Sequence, residues 1–501
     1  MTMTLPDEFH INGTRPPPRA MIDDKKAALA RLKASRQSRR AEGGAPEWNA
    51  TPEPPATARP KHSAATSHRA NDAYMALMED GVRAMGISDR GDDDQSPSDT
   101  PKTQRSDLGT LLRDGPANSP GELVDPAIPR GWYDGPIDAA GVRVALTDQP
   151  ICVGSVNPRG THLVVGSTDH ALYEVQLATG KKTRTFHSNA YGHREWVTCV
   201  KHLPDGRFVS GGMDGKLCLW SEIGARCVEL GQGHSGSVAN VEVSHDGSVC
   251  VSAGYDKTVR CWSTRTRRET ASLEGHRAPV LELAWSSDGG LASGDRDGRM
   301  FLWDASISGK KDAVGKRKAC EGHVTALAWT RRVGYEAVMR GGDVLVSGGQ
   351  DGVVKVWDFR IAGTGACVAA IEAHVQKNQK NQKNGTGAVG DVVQTRGGRI
   401  VTGGADGSLA VLDPRMGYAM VGGKMRVGDF VYSLSAVGPM VVCGDGGGAA
   451  HVADVDGRDE PKVLYALGAN KAAVRVLGTS GDGTRLACAG DDGSVMCYAF
   501  D

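Results

Sequence analysis

The sequence predicts an all-β fold, a propeller of eight four-stranded blades with seven as the alternative count, preceded by a disordered tail. Three observations carry this. From about residue 142 the chain becomes a run of short alternating strands, with turn residues every ~8–12 positions. That pattern repeats, with first strands at ICVGSV (151), VTCVKH (197), VANVEV (238), VLELAW (280), VTALAW (324), VGDVVQ (389), FVYSLS (430) and VRVLGT (474). Their spacing of roughly 40–46 residues is the period of a propeller blade. Before residue 140 the composition differs, being rich in Pro, Ala, Ser, Arg and Asp.

Residues 1–140 include TRPPPRA, TPEPPATARPKH and DRGDDDQSPSDTPKTQ. Such segments bury too little apolar area to offset their ordering entropy, so a disordered tail is expected. Two stretches interrupt it: basic, Ala-rich KKAALARLKASRQSRR (25–40) and ANDAYMALMEDGVRAM (70–85). In the second, Tyr74, Leu77, Met78, Val82 and Met85 share one helical face. It reads equally as a docking helix and as a transient helix without a partner.

The propeller is expected over 141–501. GVRVAL (141–146) precedes the first unit, and the last unit ends one strand short at SVMCYAF (494–500). Pairing the two closes the ring and removes two exposed edges. The long fifth interval holds VQKNQKNQKNGTGA (375–388), a polar low-complexity loop expected to overhang one face with Lys377, Lys380 and Lys383.

Composition excludes more than it selects. The 59 Lys and Arg balance the 59 Asp and Glu, so global charge points to neither nucleic acid nor membrane. The 11 cysteines lie within Cys152–Cys497 without any Cys-x-x-Cys pair, as expected of buried, reduced thiols. No apolar run approaches the ~18 residues of a membrane span, and the start lacks a secretory core, so an intracellular protein of cytoplasm or nucleus is expected. The sequence holds no G-x-x-x-x-G-K-[ST], H-E-x-x-H or G-x-S-x-G motif and no zinc-spaced cluster, so neither a cofactor nor a metal is expected. The Gly run CGDGGGAA (443–450) reads as a turn rather than a phosphate cradle.

Four units share a finer signature: YGHREWVTCV...VSGGMDGKLCLW, QGHSGSVANV...VSAGYDKTVRCW, EGHRAPVLEL...LASGDRDGRMFLW and EGHVTALAW...VSGGQDGVVKVW. Gly-His, a strand, a strand ending in Ser-Gly, a turn Asp and a strand ending in Trp resemble the WD-repeat family over about 70% of the chain. The sixth unit is weaker, with His374 and with Leu412 at the Trp place, and units one, seven and eight keep only the strand pattern.

The resemblance implies that His, Asp, Ser and Trp meet at one rim of each blade. The sets are His193, Asp214, Ser210 and Trp220; His234, Asp256, Ser252 and Trp262; His276, Asp297, Ser293 and Trp303; and His323, Asp351, Ser347 and Trp357. Such a set invites a catalytic reading. Its recurrence once per blade, with Ser inside a strand, instead favours a structural network, and no enzymatic activity is expected. Residues just after Gly-His or just before the turn Asp fall on the same face: Trp196, Met213, Tyr255, Arg277, Arg296 and Gln350. Trp, Tyr and Arg are common interface anchors, which predicts a protein-binding face.

The opposite face looks basic, with Arg265, Arg267, Arg268, Lys310, Lys311, Lys316, Arg317, Lys318, Arg331, Arg332, Arg340 and Arg360. Without interleaved aromatics, nucleic acid ranks below protein as its partner. VSGGQDGVVKVWDFR also resembles the WD-x-R box of substrate receptors of cullin-RING ubiquitin ligases, which would put Asp358 and Arg360, with Asp413 and Arg415 of LAVLDPR, against a cullin adaptor. The expected function is a non-catalytic scaffold within a multisubunit complex. A structural subunit of an RNA-processing, ciliary or trafficking assembly is the alternative.

Overall fold

In a computed structural model of the chain, the described residues are 131–501 apart from 188–190, 232, 287–288, 305–312, 332–342, 361–365, 375–386 and 458–459. Residues 1–130 of the expected tail, with both of its helical stretches, and residues 375–386 of the QKN loop lie outside the described residues, whereas 131–140, expected as the end of the disordered tail, are described and begin with a short helix. Eight four-stranded antiparallel sheets form an eight-bladed propeller. Seven blades take their strands in chain order, and the eighth is completed by strand Val142–Ala145 beside strand Ser494–Ala499. The register of that closure pairs Val142 with Cys497 and Ala145 with Ser494.

The first strands of successive blades pack side by side around a central channel, and those of blades eight and one complete the ring. All eight first strands bulge after their first residue, from Ile151 to Val474. A bulge at that place re-aims the next side chain, so Cys152, Thr198, Leu281, Thr325, Tyr432 and Arg475 are turned relative to the strand that follows.

Radial position sets composition. Second strands such as Phe208–Gly212 (FVSGG) and third strands such as Leu217–Trp220 (LCLW) are buried throughout, as sheet faces covered by neighbouring blades should be. Fourth strands are the outer edges, and Lys181–Phe186 (KKTRTF) and Arg268–Leu273 (RETASL) are charged and exposed there. Charge on an open edge discourages pairing with another chain. Lys316, Arg317 and Lys318 belong to such an edge, strand Gly315–Lys318 of blade four, and not to the loops of the basic face where the sequence placed them.

Closure extends beyond strand pairing. A one-turn helix, Gly131–Asp134, buries Trp132 completely. Its indole stacks on Phe500 at 4.0 Å, and Nε1 donates to the Gly483 carbonyl at 2.7 Å. Gly131 N–H donates to Asp501 O, and Tyr465 Oη donates to Trp132 O. The segment before the first strand thus ties blade seven to blade eight.

Candidate functional site

Where a first strand is preceded at four residues' distance by His, the polar set assembles as a chain of donors. In blade two His193 Nδ1 lies 3.1 Å from Asp214 Oδ1, His193 Nε2 lies 2.7 Å from Ser210 Oγ, and Trp220 Nε1 donates to Ser210 Oγ at 2.8 Å. Blade three repeats it with His234, Asp256, Ser252 and Trp262 at 2.9, 2.7 and 2.9 Å. An ionised carboxylate can only accept, so Nδ1 carries the proton and Nε2 accepts from the hydroxyl. The order of bonds matches a Ser-His-Asp triad. Ser210 and Ser252 are nevertheless fully buried, and each oxygen also accepts an indole N–H, so neither hydroxyl can meet a substrate. Burial acts to raise the Asp256 pKa, but hydrogen bonds from His234 and Thr258 overcome it and hold the carboxyl well below the usual range.

A glycine two residues after each Ser makes room for this contact. A Cβ at Gly212 would stand 2.5 Å from His193 Nδ1, and one at Gly254 would stand 2.3 Å from His234 Nδ1. Blade four departs from the rule and corrects the sequence assignment. Asp295 occupies the glycine position there, and it, not Asp297, meets His276 Nδ1 at 2.7 Å, while Ser293 takes Nε2 at 2.7 Å and Trp303 Nε1 at 2.8 Å. Asp295 is fully buried and also accepts from the N–H groups of Asp297 and Arg299. Asp297 is left exposed, and its carboxylate makes no hydrogen bond among the described residues.

Blade five supplies the second correction. Its Gly-His abuts the strand, so His323 is one residue before Val324 and Cys320 takes the place four residues before it. Cys320 is buried, with its thiol pushed up to about 12 by burial. Asp351 accepts from the Glu321 N–H at 2.8 Å, and Trp357 Nε1 still donates to Ser347 at 2.8 Å. His323 stands instead at the rim.

The weaker units keep the logic with other residues. In blade six His374 meets Asp406 and Thr402, both at 2.9 Å, across the inserted loop. In blade eight Asn470, four residues before Val474, donates to Asp492 at 2.8 Å, and in blade seven Asp445 at the glycine position takes His451 Nε2 at 2.9 Å. Of these members only Asn470 keeps the four-residue distance to its first strand; His374 reaches its place across the insertion, and His451 comes from the third strand of blade seven.

Above the sets lies the rim of the channel. One backbone bond recurs in all eight blades, from the residue before the turn Asp, or before its equivalent, to the residue preceding the first strand: Thr168 to Pro150, Met213 to Trp196, Tyr255 to Ser237, Arg296 to Pro279, Gln350 to His323, Ala405 to Ala388, Gly446 to Phe430 and Asp491 to Ala473. This bond brings Trp196, Met213, Tyr255, Arg296 and Gln350 onto one continuous arc of blades two to five, all half-buried, with exposed Arg277 outside it. His323 joins the arc, with Arg296 Nε donating to its Nε2 at 3.3 Å. Blade six contributes only alanines. Blades seven and eight carry a stack the sequence reading missed: Phe430 on Tyr432 at 4.2 Å, Arg475 over Tyr432 at 3.9 Å, and Arg475 paired through two 3.0 Å bonds with Asp491.

On the innermost strands, Lys201 pairs with Glu242 at 2.7 Å and Asn240 donates to Glu282 at 3.0 Å. Burial, then the charge of Asp391, pushes Glu282 up to about 8, and burial pushes Asp391 itself to about 6. An unfolded chain releases the Glu282 proton near 4.5, whereas the fold holds it to about 8, so this contribution to stability is lost as pH rises through that window. The melting temperature should therefore fall between about pH 5 and 8, and Glu282→Gln should flatten that fall. An unchanged slope in a pH series of thermal melts would contradict it.

At the other end of the blades, Asp358 and Asp413 are buried caps rather than docking groups. Asp358 accepts from Arg360 Nε at 2.9 Å and Nη2 at 3.1 Å, which engages the arginine the sequence left available. Asp413 accepts from the Arg415 N–H at 2.9 Å and from Arg399 Nε at 3.2 Å, while the exposed Arg415 side chain reaches the Gly397 carbonyl. Among the described residues no group of His, Cys, Asp and Glu is arranged to hold a metal ion, and no helix is long and apolar enough to cross a membrane.

Fold and rim together define a β-propeller whose repeated polar chemistry is internal. Residues 180–221, 225–263, 267–304 and 315–358 match the family described as WD domain, G-beta repeat, and these repeats form part of the eight-bladed β-propeller. Its relatives include a p21-activated protein kinase-interacting protein 1-like of Danio rerio, 24% identical over 44% of this chain and 54% of that one. The Small ribosomal subunit protein RACK1y of Oryza sativa subsp. japonica is 35% identical over 36% of this chain and 52% of its own. A Ribosome biogenesis protein WDR12 homolog of Drosophila persimilis is 26% identical over 33% and 44%. The matches thus span about half the length of these relatives. Among solved structures, Chaetomium thermophilum Sqt1 bound to the N-terminus of the ribosomal protein L10 shares the fold with a TM-score of 0.58 at 17% identity, over 72% of this chain and all of that one.

Proposed function

We propose that this protein is a non-catalytic docking scaffold that holds partner proteins on the rim arc of blades two to five. The observation that carries the reading is the arc itself. Trp196, Met213, Tyr255, Arg296, His323 and Gln350 are fixed at one level by the recurring backbone bond, while the blade networks that fix them face inward. Large aromatic and Arg side chains on a rigid frame bury area at little entropic cost. Two of the named relatives are a ribosomal subunit protein and a ribosome biogenesis protein, which supports a place in a multisubunit assembly. The triple variant Trp196→Ala, Tyr255→Ala, Arg296→Ala should lose its partners in affinity purification at nearly unchanged melting temperature, since central anchors contribute about 2 kcal/mol or more each to binding. Full partner recovery by that variant would sink the reading. Recovery of a cullin adaptor with the unmodified protein would favour the ligase receptor reading, in which the exposed Arg360 and Arg415 meet the adaptor.

A further inference from the structure

Blades four and five both release a residue that the polar set normally holds inside. In blade four Asp295 replaces Asp297, and in blade five Cys320 stands where His would, so Asp297 and His323 reach the rim on either side of Arg296. Arg296 is half-buried, and its Nε donates to His323 Nε2, which fixes the guanidinium plane. Its two Nη groups make no hydrogen bond among the described residues, although the exposed Asp297 is its chain neighbour. A planar fork held by its Nε and open at both Nη groups has the geometry that takes a carboxylate through two parallel bonds. The neighbouring arc positions toward blade two are Tyr255, Met213 and Trp196, which are suited to apolar side chains.

We infer that the Arg296–His323 corner of the rim binds an acidic residue of a partner peptide, whose adjacent apolar residues lie over Tyr255, Met213 and Trp196. The inference rests on the rim being the docking face and names the chemistry of what docks there. Loss of a half-buried charge-assisted pair weakens binding more than loss of an exposed one. Lys at position 296 keeps the charge and loses the fork.

The test uses the full chain and a fluorescein-labelled octapeptide alternating Leu and Glu, with its Leu-Gln counterpart as control, followed by fluorescence anisotropy at low salt. The Glu peptide should bind measurably tighter than the Gln peptide, Arg296→Lys should weaken it about tenfold, and Arg265→Ala on the other face should leave it unchanged. Inorganic phosphate should compete only at concentrations that screen charge generally, since it offers no apolar contacts. Equal binding of the two peptides, no binding of either, or an Arg296→Lys variant equal to the unmodified protein overturns the inference. Partner loss in the Trp196, Tyr255, Arg296 triple variant is measured separately, so the docking-face reading stands or falls on its own result.

Discussion

Deleting residues 1–130 is expected to leave the melting temperature unchanged, whereas deleting 1–147 should lower it by the largest margin of any change considered. The described fold makes its first contacts at Gly131 and Trp132. Removal to residue 147 strips strand Val142–Ala145 from the last blade and exposes the edge of strand Ser494–Ala499. It also empties the place of Trp132, which packs with Met440, Leu467, Leu486, Tyr498 and Phe500. Trp132→Ala alone should cost about 3–5 kcal/mol, the usual range for deleting a buried aromatic. Because the ring is closed through one blade, loss of that blade's fourth strand opens both chain ends together. Thermal and denaturant melts of the two truncations and of Trp132→Ala check this, and equal melting temperatures for the truncations would contradict it.

The second large effect separates two aspartates two residues apart. Asp295→Ala should destabilise by about 3 kcal/mol, because it leaves His276 Nδ1–H and two backbone N–H groups buried without their acceptor. Asp297→Ala should stay within about 0.5 kcal/mol, as exposed sites away from such features do. A turn aspartate shared by all signature blades would give the opposite order. Denaturant titration of the two variants decides between them.

These two predictions also show what the sequence carried. The first strands, the blade count and the pairing of 141–146 with the last strand were legible because they follow from periodicity and from an unfinished last sheet, both global properties. The sets of blades two and three were legible because His stands four residues before the strand and a glycine clears the space. In blade four the turn aspartate of the motif, Asp297, is not the partner of His276, and in blade five the letters Gly-His stand at the wrong distance from the strand. Asp295 sits where a glycine is usual, and three fewer residues separate His323 from its strand. The letters WDFR admit both a docking Arg360 and an Arg360 paired with Asp358, and in the structure the pair forms. The stack of Phe430, Tyr432 and Arg475 went unnoticed since its units lack the signature.

The central claim is a division of labour between internal sets that hold the blades and a rim that binds. It is tested most directly by measuring melting temperature and partner recovery on two proteins side by side, Asp295→Ala and the Trp196, Tyr255, Arg296 triple alanine variant. The account predicts a lowered melting temperature for the first, and for the second a nearly unchanged melting temperature with its partners lost. A rim variant that unfolds as readily as Asp295→Ala, or one that stays folded and keeps every partner, would contradict it.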